Sequence, residues 1–250
     1  MNSSLIPPRQ VSIDDAATFV GTTTADIVRY DEAGLLPPRG SDAGERNSFG
    51  HDDVVGLMWI DKMVKAGAGS SSVGTTAGKA ALLSDVITNR LVGLPEGSLR
   101  HADLDALVVT ERIFGPLGAA VQASRFIALS THPDLREKSD KIDAAEEALD
   151  DTVAAEDARV ALVAADRHAF EVLLAEVMEQ SGLDRADEAL FDSWDEREAA
   201  GGFNDEDTDN GIIDGERITN AVDAVAQMPY DFSPARLRCI ELTEELAASA

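Results

Sequence analysis

The sequence predicts a mainly α-helical protein, with a small N-terminal domain of short helices and a turn-rich hairpin followed by an all-helical C-terminal domain. Three observations lead there. Apolar residues recur at helical spacing through most of the chain and stop at glycines or prolines; a Pro-flanked Gly/Ser/Asp stretch at 35–49 interrupts them; and from Ala80 onward no convincing alternating strand is found. At 250 residues and 44% hydrophobic, the chain can bury a sizeable core and suits one or two domains; two are expected.

The first element is carried by "SIDDAATFVG". Ser12 precedes Asp15 at the spacing of a capping box, and Ala16, Ala17, Phe19 and Val20 form an apolar stripe, so a short helix ending at Gly21 is expected. "TTTADIVRYDEAG" restarts at once, with threonines suited to N-capping, Ile27 and Tyr30 on one face, and Gly34 after the C-terminus. Two short helices across a tight turn predict a helix-turn-helix. "LLPPRGSDAGERNSF" cannot continue a helix through Pro37 and Pro38, and its polar centre between Leu36 and Phe49 predicts a small hairpin, a wing. "HDDVVGLMWIDKMVKAG" returns to helical spacing and stops at Gly67, closing a winged helix-turn-helix domain over 11–67.

"AGAGSSSVGTTAGK" has hardly any apolar face, and a flexible Gly/Ser/Thr-rich linker is expected over 68–79. Residues 80–250 then form an acidic all-helical effector or partner-binding domain, broken at "GLPEGS", "GPLG", "THPD", "SGLD", "GGFNDEDTDNG" and "MPYDFSP". Its longest pattern, near 133–180, is one helix or two, with a break expected at "DDT", residues 150–152. Ser233 followed by Pro234 predicts an N-cap with proline at the first helical position of a last helix.

Charge is uneven. Residues 1–80 hold 7 Lys+Arg against 10 Asp+Glu, and the remainder holds 14 against 37. So acidic a surface keeps a chain soluble and repels nucleic acid and anionic membranes at low salt. No apolar stretch approaches the roughly 20 residues of a membrane-spanning helix, and "MNSSLIPPRQVSIDD" lacks the regions of a signal peptide, so a soluble cytoplasmic protein without a membrane partner is expected. With Cys239 alone, one chain forms no internal disulfide or thiolate zinc cluster. The four histidines lack HExxH spacing, and "GSSSVGTTAGK" lacks the GxxxxGK[ST] phosphate-loop pattern. No nucleophile, acid–base pair or cofactor loop assembles from the linear sequence, so an enzyme is not expected.

The order helix, turn, helix, "VRYDEAGLLPPR", wing, "GER", helix, glycine resembles the MerR family of transcription regulators over roughly 11–67. In that family the second helix enters the major groove, and arginines and tyrosines of the signature and wing grip phosphates. The resemblance implies DNA-binding roles for Thr22, Thr23, Thr24, Arg29, Tyr30, Arg39 and Arg46, with Lys62 and Lys65 as further phosphate contacts from the next helix. The sequence departs from the family at Asp31, read at the place of a signature tyrosine, and at Glu45, at the place of the wing tyrosine. A carboxylate near a phosphate is repelled.

Residues 205–216, "DEDTDNGIIDGE", resemble a single EF-hand loop. The resemblance implies Ca²⁺ ligation by Asp205, Asp207, Asp209, the Gly211 carbonyl and Glu216. Asn210 stands where that loop has a glycine, and a solvated acidic loop before a helix capped by Asp214 is the competing reading, which the departure favours. Two functions therefore remain: a MerR-like regulator that binds promoter DNA as a homo-oligomer, or an acidic adaptor that keeps the winged fold and docks a protein partner, with calcium compatible with either.

Overall fold

The computed structural model describes residues 8–38, 47–199 and 227–249. These residues are mainly helical. Two compact units emerge, one of residues 1–123 and 189–231, the other of 124–188 and 232–250.

The first unit opens with strand β1 (Val11–Ser12), which pairs antiparallel with β2 (Ser48–Phe49), Val11 opposite Phe49. The centre of the expected hairpin lies outside the described residues, and only its second arm is seen to pair. That arm pairs with the start of the chain, and this registers Val11 and the fully buried Phe49 on one face of the core. Residues 39–46 lie outside the described residues.

Helix α1 (Ile13–Val20) starts as expected. The Ser12 hydroxyl accepts the Asp15 N–H at 3.2 Å, and Gly21 ends the helix at φ 81°, a left-handed conformation glycine enters without strain. Helix α2 (Thr24–Glu32) is capped by the Thr23 hydroxyl, which accepts the Asp26 N–H at 3.1 Å. Both pack through Ala16, Ala17, Phe19, Val20, Ile27 and Tyr30 onto α3 (His51–Lys65), whose Val54, Leu57, Met58 and Trp59 are buried. The Asp53 carboxylate accepts the Gly50 N–H at 3.0 Å at the start of α3.

The stretch expected as a flexible linker is folded. Ser70–Gly74 forms a 3₁₀ turn against α3, and α4 (Thr76–Ala80) follows, capped by the Thr75 hydroxyl. Gly78 explains the composition: a Cβ there would lie 2.0 Å from the Ser72 carbonyl oxygen. The small residues serve close backbone approach and capping, uses that share a composition with flexible linkers. Helix α5 (Asp85–Leu91) then leads to α6 (His101–Thr131). "GPLG" interrupts α6 as expected: Gly115 leaves helical geometry at φ 77° and ψ 178°, so the range is two helices meeting at a kink, and Pro116 restarts the second where a missing N–H costs nothing. The boundary between the two units falls within α6, after Ala123.

In the second unit, α7 (Pro133–Glu147) and α8 (Ala158–Ser181) are separate helices. The break covers 150–152, where the Asp150 carboxylate accepts both the backbone N–H and the hydroxyl of Thr152 at 2.8 and 2.6 Å. Helix α9 (Leu183–Ala199) follows, its residues from Ala189 onward belonging to the first unit, and α10 (Pro234–Ser249) completes the second unit with the Ser233 hydroxyl as its N-cap, accepting the Arg236 N–H at 3.0 Å. Leu149, Val153, Val160, Ala164, Ala235 and Cys239 form its core. Burial pushes the Cys239 thiol up, as expected of a small core residue.

Gly78→Ala is expected to destabilise the protein by about 1–3 kcal/mol, because backbone must move to admit the methyl group. A chemical denaturation curve checks this, and an unchanged midpoint would mean that the turn at 70–74 contributes nothing to the first unit.

Candidate nucleic-acid interface

The turn between α1 and α2 spans residues 21–23, and the hydroxyls of both its threonines turn to Asp26. Thr22 is buried at 8% exposure and donates to the Asp26 carboxylate at 3.4 Å; Thr23 donates to the same carboxylate at 2.7 Å. Arg29, one turn further along α2, closes an ion pair with Asp26 while its side chain stays 68% exposed. The Thr23 hydroxyl, opposed by partial burial and aided by the Arg29 charge, holds the Asp26 carboxyl below the usual carboxylate range. Thr24 is half-buried, whereas Ala25, Val28, Arg29 and Glu32 are exposed on the outward side of α2, and Asp31 is exposed at its flank.

Tyr30 faces the opposite way. It is 4% exposed, and its hydroxyl donates to Asp61 Oδ1 of α3 at 3.3 Å. Burial, then the Asp61 charge, pushes its phenol up. Tyr30 thus works in the core of this unit, joining α2 to α3. Lys65 pairs with the same Asp61 at 2.9 Å and donates to the Gly21 carbonyl at 3.3 Å, which brings it onto the α1–α2 turn. Lys62 pairs with Glu111 of α6 at 2.8 Å, and Glu111 is 2% exposed. Arg39, Arg46 and Glu45 lie outside the described residues, as does the whole 205–216 loop.

The structure therefore gathers Thr22, Thr23, Thr24, Arg29 and Lys65 around one turn, and it gives Arg29, Lys62 and Lys65 carboxylate partners of their own. Four residues that sequence reasoning did not single out organise this arrangement: Asp61, Asp105, Glu111 and Arg112. Arg112 of α6 donates to the Phe19 carbonyl and, at 3.2 Å, to that of Thr18, capping the last turn of α1. Burial lowers its pKa, and the Asp61 charge opposes the shift. Asp105 accepts from Trp59 Nε1 and Lys79 Nζ, both at 2.6 Å. One signal was present: Asp105, Glu111 and Arg112 interrupt an otherwise apolar helical run, "LDALVVTERIF".

Comparison of the chain with family models, with curated proteins and with solved structures finds no match. Among the described residues, no group of three or more His, Cys, Asp or Glu side chains is placed to hold a metal ion, and no helix is long and apolar enough to cross a membrane.

Asp26 sets a pH-dependent contribution. Its folded-state pKa is depressed, so its stabilisation is present at neutral pH and is lost as pH falls through the depressed value. Asp26→Asn is expected to cost up to about 1 kcal/mol at pH 7, and the gap to the unaltered protein should close as pH drops below about 4. Denaturation at both pH values measures it; a gap that is the same at both would remove the ionised carboxylate from the explanation.

Proposed function

We propose that this chain is a MerR-like transcription regulator, whose winged helix-turn-helix front binds promoter DNA and whose helical remainder senses a ligand or contacts a partner. The observation that carries this reading is the backbone arrangement. Two short capped helices flank the 21–23 turn, the β1–β2 pair draws the end of the 35–49 segment back beside α1, and the outer side of α2 is left open to solvent. A helix held this way offers the residues of its first turns to a major groove, and a segment returning beside it offers cations to the flanking phosphates. On this reading Arg29, Arg39 and Arg46 contact phosphate, Thr23 and Thr24 lie nearest the groove, and Lys65 is the cation beside the turn.

A second reading has its own observation. Arg29, Lys62 and Lys65 each have a carboxylate partner, and Asp31 and Glu32 are exposed on α2. These features favour an acidic adaptor that docks a protein partner through the same face. A second copy of the chain fits the first reading, in which a two-fold dimer meets two half-sites; calcium at 205–216 is compatible with both.

Titration of the purified protein with duplexes from its own upstream region, at low and physiological salt, separates the readings. Binding that weakens with salt, and that falls at least about tenfold with a salt slope shallower by about two units in the Arg29→Ala, Arg46→Ala double variant, supports the regulator. No binding even at low salt overturns it and leaves the adaptor.

A further inference from the structure

Resting on the DNA-binding reading above, we infer that the outer face of α2 recognises thymine through its C5 methyl group, so that the duplexes this protein selects carry thymine opposite the first two turns of α2.

The inference comes from which atoms the helix has left to offer. Ile27 and Tyr30 point into the core, so residues 25, 28, 29 and 32 lie on the opposite side of the helix. Three polar side chains of the first turns are already engaged, since Thr22, Thr23 and Arg29 all meet Asp26, and Thr24 is half-buried. Beside them stand Ala25 and Val28, exposed and without a hydrogen-bonding group, Val28 at 48%. An exposed valine and alanine at the open end of a short helix can tell base pairs apart in one way. In the major groove thymine alone carries a methyl group, which apolar side chains contact, whereas guanine, adenine and cytosine are read by hydrogen bonds. Glu32, also on this side but a full turn further from the N-terminal end, is an acceptor and leaves the thymine contact to Ala25 and Val28.

The test starts by enriching duplexes from a random-sequence pool on the full chain. The best-bound duplex is then resynthesised with deoxyuridine in place of thymidine, which removes the methyl groups and keeps every hydrogen-bonding atom. Affinity is expected to fall about fourfold for each methyl contacted, the value of one buried CH₂. In Val28→Ser, an exposed position whose change should leave the melting temperature in place, the two duplexes should bind nearly alike. Equal affinity of the unaltered protein for both duplexes overturns this inference and leaves DNA binding standing. Failure to enrich any duplex at low salt overturns the DNA-binding reading and this inference with it, and turns the same apolar face toward a protein partner.

Discussion

A carboxylate with almost no water around it governs the front of this protein. Asp61 is 5% exposed in α3, and a charge so placed is tolerated only with partners close by. Its partners come from different places: the Tyr30 hydroxyl from α2, and the Lys65 ammonium, which also reaches the Gly21 carbonyl at the turn. Satisfying Asp61 therefore fixes α2 against α3 and pins the turn between α1 and α2. Arg112 does the complementary work from α6, where its guanidinium fills the last carbonyls of α1 and sits in the field of the Asp61 charge.

The same economy extends along α6. Asp105 gathers Trp59 and Lys79, whose ammonium also stands 5.0 Å from the Trp59 ring; Glu111 gathers Lys62 and the Ser84 N–H at 3.1 Å. Each pairing joins α6 to a segment that precedes it. Hydrogen-bonded charges in an apolar setting specify geometry more sharply than they add net stability. This accounts for a first unit that reaches beyond α1, α2 and α3, to Ala123, and takes in the stretch at 68–79.

Local structure was legible in the sequence wherever a single residue type answers a single backbone need. Ser12, Thr23 and Ser233 cap helices, Gly21 and Gly34 follow them, and Pro234 starts one, because each choice is dictated within a turn or two. The 68–79 stretch was not legible, since glycine is equally the residue of a loose chain and of a tight backbone crossing, and only the Ser72 carbonyl beside Gly78 decides between them. The grouping of 189–199 and 227–231 with the first unit is a tertiary fact with no local signature. At the candidate interface, the threonines and arginine of α2 were visible as residue types, but the inward turn of Tyr30 and the pairing of Lys62 depend on partners on other helices. Trp59 and Asp105, 46 residues apart, show how far such partners lie along the chain.

The carboxylates beside Arg29, Lys62 and Lys65 act as built-in counterions. A polyanion arriving at this turn must displace an aspartate or glutamate as well as dissolved salt ions, and so gains only the difference between two anionic partners. Paired in this way, Arg29, Lys62 and Lys65 present less net positive charge to an approaching anion than their number suggests.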